Sequence, residues 1–193
     1  MKHPLMFCIL MLVYGCASNP AYHQGLVASE NEDYATAVAL WTPLADEGDA
    51  RAQFRLGELY HEGLGVNPDI AKAMQWYLQA AVQGHAEAQN NLGIIYDDGD
   101  EVRENFRIAM KWYLLAAEQG DPGAQFNLGS IYREEESVQD FTRAYMWWGI
   151  SAYLGNDLAG SLLESVEQEM SPEQVVAARQ LARQCVKNNF QDC

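Results

Sequence analysis

The chain contains a stretch of 21 residues that recurs almost unchanged 36 residues later. AMQWYLQAAVQGHAEAQNNLG spans 73–93, and AMKWYLLAAEQGDPGAQFNLG spans 109–129. Weaker copies extend backward to Ala37 and, after one deleted residue near Gln139, forward to Leu163. A fixed period of about 20 to 50 residues is typical of arrays in which each unit packs on its neighbours. Three and a half units are visible, so we predict a solenoid.

Each unit is expected to form two α-helices. In the second unit, the apolar residues with the spacing of one helical face are Ala73, Trp76, Tyr77, Ala80 and Ala81. Gly84 follows and predicts the end of this helix, because a residue without a Cβ adopts left-handed backbone at low cost. A second helix is predicted from about Ala86 to Tyr96.

The aromatic residues of the units are interpreted as core residues rather than as a stacking site for a sugar. Trp76, Trp112 and the pair Trp147-Trp148 recur with the period, which indicates packing between layers. Trp148 is expected to be partly exposed, because it lies in the last unit. The loop that follows each pair of helices carries a valine that is expected to pack back into the core, at Val66, Val102 and Val138.

Residues 1–15 are predicted to form a signal peptide. They contain Lys2 and an apolar run, 5–14, that is shorter than the roughly 20 residues a membrane-spanning helix needs. Val13-Tyr14-Gly15-Cys16 resembles the lipobox of bacterial lipoproteins. The resemblance implies cleavage before Cys16, a diacylglycerol on its sulfur and an acylated amine, which together anchor a protein stably. With Ala17 next, it implies the outer membrane of a Gram-negative cell, facing the periplasm, and residues 16–21 are then a tether.

The chain is acidic, with a formal net charge of −15. Cleavage after residue 15 would remove Lys2 and no acid, which makes the mature charge −16. Nucleic-acid binding requires a basic face, so this class of partner is excluded. Most of the acidity is interpreted as a solvated surface.

The repeated pattern A-x-x-W-Y-x-x-A-A-x-x-G-x-x-x-A-Q-x-x-L-G-x-x-Y resembles the Sel-one-like repeat family, relatives of the tetratricopeptide repeats. The resemblance covers residues 22–170 and implies an all-α, right-handed α-solenoid of stacked helix-turn-helix repeats. The fourth unit departs from the pattern after Gly155. At the other end, Gly25 lies where the units carry Gly57 and Gly93, so the segment from Tyr22 is expected to be half a unit that caps the array.

The resemblance also implies a concave groove lined by the helix that carries Ala-Gln-x-x-Leu-Gly. Positions that vary from unit to unit on this helix are expected to face outward or into the groove, where amides suit a peptide backbone, aromatic rings suit anchors and arginines suit acidic groups. The candidate residues are Arg51, Phe54, Arg55, Glu58, His61, Asn90, Asn91, Ile94, Asp97, Phe126, Asn127, Ser130 and Arg133.

The last part of the chain, residues 171–193, is predicted to be a capping helix and tail. Ser171-Pro172-Glu173-Gln174 combines a serine N-cap, a proline at the first position and a glutamine three residues after the cap. Cys185 and Cys193 would lie about 12 Å apart on one helix, so a disulfide requires the chain to turn back, which we expect at Asn188-Asn189. We predict this disulfide, worth roughly 2.5 kcal/mol in the chain-entropy model. A redox or metal role is the weaker alternative.

No catalytic constellation is found in the sequence. No serine has a lysine three residues on, and His23, His61 and His85 lie in different units, so neither an acyl-serine enzyme nor a metal or cofactor site is indicated. The leading hypothesis is a non-catalytic, lipid-anchored envelope scaffold that binds a protein or peptide in the groove. Alternatives are a β-lactam-binding or β-lactamase-like enzyme of the cysteine-rich repeat type, although no cysteine lies inside these repeats, and a peptidoglycan- or polysaccharide-binding protein.

Overall fold

A computed structural model of the chain describes residues 19–99, 103–191 and 193, and all regular secondary structure in these ranges is α-helical. The predicted all-α solenoid is confirmed. The predicted signal peptide, Cys16 and Val102 lie outside the described residues. The helices are α1 (Pro20–Glu30), α2 (Tyr34–Asp46), α3 (Ala50–Glu62), α4 (Ile70–Ala81), α5 (Ala86–Asp98), α6 (Phe106–Ala117), α7 (Pro122–Glu134), α8 (Phe141–Tyr153), α9 (Asp157–Glu167) and α10 (Pro172–Lys187).

Each helix packs mainly on the helices before and after it in the chain, as expected of a solenoid. The end of the array differs, because α10 packs against α8 and so closes the stack. Helices α5 and α7 also contact each other directly, although a helix separates them in sequence. Both helices carry the Ala-Gln-x-x-Leu-Gly pattern that was predicted to line the groove, and we call α3, α5, α7 and the equivalent α1 the inner helices. None of the helices in the described ranges is long and apolar enough to cross a membrane.

The helix boundaries follow from side chains that recur with the period. In each unit, the helix with the tryptophan is capped by an aspartate or an asparagine. The side chain of Asp69 accepts a hydrogen bond from the backbone N–H of Lys72 at 2.9 Å. In the same way, Asn105 and Asp140 each accept from the backbone N–H of the residue three positions later. Each of these helices is followed, two or three residues after its end, by a glycine with positive φ; these are Gly84, Gly120 and Gly155.

Four glycines on the inner helices each leave space for an aromatic ring from the following helix. A Cβ built on the glycine would lie under 3.0 Å from ring atoms, so no other residue fits. The pairs are Gly25 with Trp41, Gly57 with Tyr77, Gly93 with Tyr113, and Gly129 with Trp148. The expectation that the N-terminal segment repeats half a unit is therefore confirmed by its own glycine and ring.

The expectation that Trp148 is partly exposed was wrong. Its side chain is only 3% exposed, and its indole Nε1 donates a hydrogen bond to the carbonyl oxygen of Phe126 at 3.1 Å. The ring lies in the slot left by Gly129, and α9 and α10 both pack on its helix. By contrast, Trp76 and Trp112 are half-buried.

A second series of recurring residues consists of buried glutamines. Gln53, Gln89 and Gln125 each donate from Nε2 to a carbonyl oxygen eight residues earlier, at 2.9, 2.9 and 3.1 Å. The Oε1 atoms of Gln53 and Gln89 accept from Gln83 and Gln119, at 2.7 and 2.8 Å. Because the equivalent position in the next unit is Leu154, Oε1 of Gln125 is buried without a hydrogen-bond partner among the described residues. The series of hydrogen bonds between glutamines therefore ends at Gln125.

The described structure also bears on the predicted tether and on the loop valines. Helix α1 begins at Pro20, inside the predicted tether of residues 16–21, because Asn19 caps the backbone N–H of Ala21 at 3.0 Å and a proline suits the first turn. Among the loop valines, Val138 packs against the core and Val66 is half-buried.

The C-terminal segment agrees with its predicted structure. Ser171 and Gln174 form a capping box at the start of α10. Cys185 and Cys193 are joined by a disulfide with Cα atoms 5.1 Å apart, and the chain turns back through Asn188, after which two residues have positive φ. Gln191 donates to the carbonyl oxygen of Glu118 at 2.8 Å, so the tail is held against the turn after α6.

Candidate functional site

The predicted groove residues all lie on α3, α5 and α7, the inner helices of three successive units. Twelve of the thirteen are at least partly exposed. The exception is Phe54, which is 7% exposed, so its assignment to an accessible surface was wrong. Its ring stacks on that of His85, with centroids 4.6 Å apart, and lies 6.0 Å from that of Tyr77. The neighbouring unit therefore covers Phe54, which packs in the core beneath the groove.

The charged residues of the first unit pair with one another. Arg51 forms an ion pair with Asp49 at 2.7 Å, and its guanidinium lies 4.4 Å from the centre of the Tyr22 ring. Arg55 forms an ion pair with Glu58 at 2.8 Å. Burial raises the pKa of Glu58, while the nearby guanidinium opposes this shift. These intramolecular pairs balance the charge at this end of the groove.

Among the predicted groove residues, an asparagine pair joins α5 to α7. The amide Nδ2 of Asn127 donates to Oδ1 of Asn90 at 3.1 Å. Within the described part of the chain, nothing accepts from Nδ2 of Asn90 or donates to Oδ1 of Asn127. The half-buried side chains of Ile94 and Phe126 pack against the core close by in sequence. The pair therefore has an unused donor group, Nδ2 of Asn90, and an unused acceptor atom, Oδ1 of Asn127.

Asn91, next to this pair, makes a structural contact. It hydrogen-bonds the phenol of Tyr77; burial raises the pKa of this phenol, and the amide opposes the shift. Ser130 is also used locally, because its hydroxyl donates to the carbonyl oxygen of Phe126 at 3.3 Å.

One position near the end of each inner helix carries a different charge type in each unit. His61 makes an edge contact with the Tyr77 ring, with centroids 6.2 Å apart. Asp97 accepts a hydrogen bond from the phenol of Tyr113 at 3.3 Å. Arg133 forms an ion pair with Glu169, beyond α9. The three residues are equivalent by repeat, and each contacts the structure that follows it.

Asp97 is the most perturbed carboxyl of the groove. Burial raises the pKa of Asp97 to about 6, the phenol of Tyr113 opposes the shift, and the carboxylates of Asp98, Glu135 and Glu104 add to it. The group is therefore poorly stabilised when ionised at neutral pH.

Replacing Asp97 by asparagine is expected to raise the free energy of unfolding by about 1 kcal/mol at pH 7.5 and to change it little near pH 4. The pKa of this carboxyl is about 6 in the folded protein, against an ordinary value of 3.8 for the free group, so the folded protein holds the proton to higher pH. The stability from the protonated carboxyl is thus present at low pH and lost as the pH rises through 6. Urea unfolding between pH 4 and 8 measures the difference between the two proteins.

The matched control is Glu164→Gln, which removes an exposed carboxylate from the middle of α9. This variant should differ from the parent by the same small amount at every pH. A pH-dependent gain of similar size in both variants would contradict the assignment to Asp97.

His85 lies close to the predicted groove residues, because its ring stacks on that of Phe54, although its position in the sequence indicated no metal or catalytic role. It occupies the N-cap position of α5, where the neighbouring units have Asp49 and Asp121, and it makes no side-chain capping bond. Its Nδ1 lies 3.2 Å from the carboxylate of Glu87, and burial lowers the pKa of the imidazole. The change from Asp to His within an otherwise regular series was the available sequence signal. Across the described ranges, no three His, Cys, Asp or Glu side chains are grouped to hold a metal ion.

Comparison with known proteins agrees with this architecture. A family model described as "Sel1 repeat" matches residues 50–85, 86–121 and 122–156, more than half of the chain. Each matched unit is one inner helix followed by the helix that carries the tryptophan. No match was found among curated proteins.

Two solved structures are similar over most of the chain. One is a Sel1 repeat protein from Oxalobacter formigenes, with 32% identity and a TM-score of 0.70 over 75% of this chain and 58% of that one. The other is a protective antigen present in uropathogenic Escherichia coli strains, with 26% identity and a TM-score of 0.57 over 89% of this chain and 46% of that one. This chain thus spans less than two thirds of the length of either relative. On the evidence of its matched units, its stacked helix pairs and these relatives, the chain belongs to the Sel1 repeat family, whose fold generally mediates protein–protein interaction.

Proposed function

We propose that this protein is a lipid-anchored scaffold of the cell envelope that binds an extended peptide segment of a partner protein in its groove and catalyses no reaction. The observation that carries the proposal is the asparagine pair across α5 and α7. An extended peptide presents alternating N–H and C=O groups, and the pair offers an acceptor, Oδ1 of Asn127, and a donor, Nδ2 of Asn90, for them.

The surroundings of the pair support a peptide more than a charged small molecule. Arg51, Arg55 and Arg133 are each engaged in an ion pair, so the groove offers amides and apolar side chains at its centre rather than a cationic cluster. Ile94 and Phe126 provide apolar contacts for alternate side chains of the peptide. This combination suits main-chain recognition with modest side-chain selectivity.

The membrane anchor rests on the lipobox-like sequence around Cys16. In a Gram-negative cell, acylation of Cys16 would hold the solenoid at the outer membrane with the groove facing the periplasm, where partner proteins are tethered or diffuse nearby. Expression of the full chain and of Cys16→Ser, followed by membrane fractionation and intact-mass measurement, tests this part. The parent should be acylated and membrane-bound, and the variant should be neither. An unmodified Cys16 in the parent would contradict the anchor.

The groove is tested by proximity labelling and cross-linked pull-down of the full chain. The test variant is Asn90→Ala with Asn127→Ala, which removes the donor and the acceptor while leaving the buried core residues intact. The control is Asn67→Ala, an exposed asparagine in the loop before α4. A partner counts as groove-bound if the double variant loses it and the control keeps it.

The partner's contact segment, made as a synthetic peptide, should then bind the parent and lose about tenfold or more in affinity with the double variant. Partners that are captured equally by all three proteins would contradict binding at this pair. Hydrolysis of nitrocefin by the parent would contradict the non-catalytic part of the proposal.

A further inference from the structure

A cavity of about 400 Å³ lies at the C-terminal end of the array, away from the groove. It is an open cleft whose walls are formed by α8, α9 and α10. Clefts that hold small molecules have volumes of roughly 300–1,000 Å³ and mainly apolar walls with a few polar groups. The apolar walls here include Ile150, Leu163, Ala182 and Val186. Size and lining are therefore those of a binding site for a small apolar group.

One of the residues that line the cavity is a glycine at a position where the two preceding units have leucine. Gly149 lies one position after Trp148, where the preceding units have Leu78 and Leu114. A Cβ built on Gly149 would meet no heavy atom within 4 Å, which shows that the space beside it is open. Since a glycine in the middle of a helix costs stability, the open space is not explained by the needs of α8 itself.

The charge at the mouth of the cavity is opposite to that of the chain as a whole. The chain carries a formal net charge of −15, but Arg179 and Arg183 both line this cavity. Arg179 is held by the phenol of Tyr145 at 2.9 Å and by the carboxylate of Glu167 at 3.1 Å.

Arg183 lies one helical turn further along α10 and is exposed. Nothing in the described ranges forms an ion pair or hydrogen bond with its guanidinium. Because Arg179 is paired with Glu167, Arg183 is the arginine of this cavity that has its five N–H donors available for an anion.

We propose that this cavity binds a medium-chain carboxylate, with an unbranched hydrocarbon chain of about eight to ten carbons inside the cavity and its carboxylate on Arg183. The apolar walls remove the chain from water, and the guanidinium pairs with a carboxylate in the fork geometry that suits it. Arg179 holds the edge of the cavity in place, because it donates a hydrogen bond to the phenol of Tyr145 and forms an ion pair with Glu167. The site is independent of the groove proposed for peptides.

The test is calorimetric titration of the purified full chain with decanoate below its micellar concentration. We expect one saturable site, with binding about tenfold weaker for octanoate, because two fewer methylenes are buried. Decanol, which has a hydrocarbon chain of the same length but no charge, should also bind more weakly. Absence of saturable decanoate binding, or equal affinities for decanoate and decanol, would overturn the proposal.

Two variants locate the site. Gly149→Leu restores the side chain found at Leu114 and should abolish binding, and Arg183→Gln should weaken decanoate about tenfold without changing decanol. The control is Arg143→Gln, on the same helix as Gly149 but at the contact with Asp140 and Tyr132. If Gly149→Leu does not fold, as judged by circular dichroism, Ala182→Leu narrows the cavity from α10 instead.

Unchanged decanoate binding in the folded cavity-filling variant, or equal losses in Arg183→Gln and Arg143→Gln, would overturn the site. Displacement of decanoate by a short peptide with a C-terminal leucine, at lower concentration than octanoate, would assign the cavity to a protein C-terminus and so overturn the fatty-acid assignment.

Discussion

Replacing Gly93 by alanine is expected to lower the free energy of unfolding by about 3 kcal/mol. The added Cβ would lie under 3.0 Å from atoms of the Tyr113 ring, which is 1% exposed and packed between the second and third units. The ring has no space to retreat to, because Leu92, Ala109 and Leu128 are also fully buried. The strain falls on the contact between α5 and α6, so the array should separate there first. Urea unfolding followed by circular dichroism measures the loss.

The matched control is Gly149→Ala. This glycine also lies inside a helix, but its Cβ would meet no heavy atom within 4 Å. Alanine should therefore raise the free energy of unfolding by about 0.5–1 kcal/mol, because it restricts the unfolded chain and favours the helix. If alanine lowers the free energy of unfolding at Gly93 and raises it at Gly149, the contact with the Tyr113 ring is identified as the cause of the loss. A loss at Gly149 as large as that at Gly93 would contradict this interpretation.

Replacing Gln89 by alanine is expected to cost about 2–3 kcal/mol. Its Nε2 donates to the buried carbonyl oxygen of Ala81 at 2.9 Å, and its Oε1 accepts from Gln119 at 2.8 Å. Alanine removes both bonds, leaves the carbonyl oxygen without its donor and opens a small cavity. Gln75→Ala, an exposed glutamine on α4, is the control and should stay within about 0.5 kcal/mol of the parent. Equal effects of the two substitutions would show that the buried amide is not a structural link between units.

The series of buried glutamines also predicts a substitution that should stabilise the protein, at the end of the series. Leu154→Gln places a glutamine where Gln83 and Gln119 stand in the earlier units, within reach of the unpartnered Oε1 of Gln125. A new hydrogen bond to this buried atom should raise the free energy of unfolding by about 1 kcal/mol. The gain should disappear in a Gln125→Met background, where the acceptor is gone. A gain that persists there would have another cause, such as removal of an exposed leucine.

The fold could be predicted because the same residue types recur at equivalent positions in successive units. The spacing of alanine and aromatic residues specifies amphipathic helices, and glycine marks their ends. Recurrence at a fixed period then predicts that the equivalent helices of successive units stack in one array. Even the N-terminal half unit was visible from Gly25 alone, since the structure packs Trp41 against it as it packs Tyr77 against Gly57. The turn before Cys193 was also predictable, because a disulfide between Cys185 and Cys193 cannot form along one continuous helix.

The candidate site was predictable only to the level of the helix. Spacing assigned thirteen residues to three inner helices, but it could not tell which of them have unused hydrogen-bonding groups. Phe54 is buried because a histidine of the next unit stacks on it, and Trp148 is buried because of a glycine slot and two helices that lack the repeat pattern. These outcomes depend on residues from other parts of the chain.

The sequence by itself therefore determined the helices, their order and the side of each that faces the core, because these depend on spacing within a unit. The tertiary structure decided the pairing of Asn90 with Asn127, the raised pKa of Asp97 and the cavity beside Gly149. Each of these arises where units that differ in sequence meet, or where α10 turns back onto α8. Burial and hydrogen bonding at such contacts are set by both partners together, so one unit's pattern does not contain them.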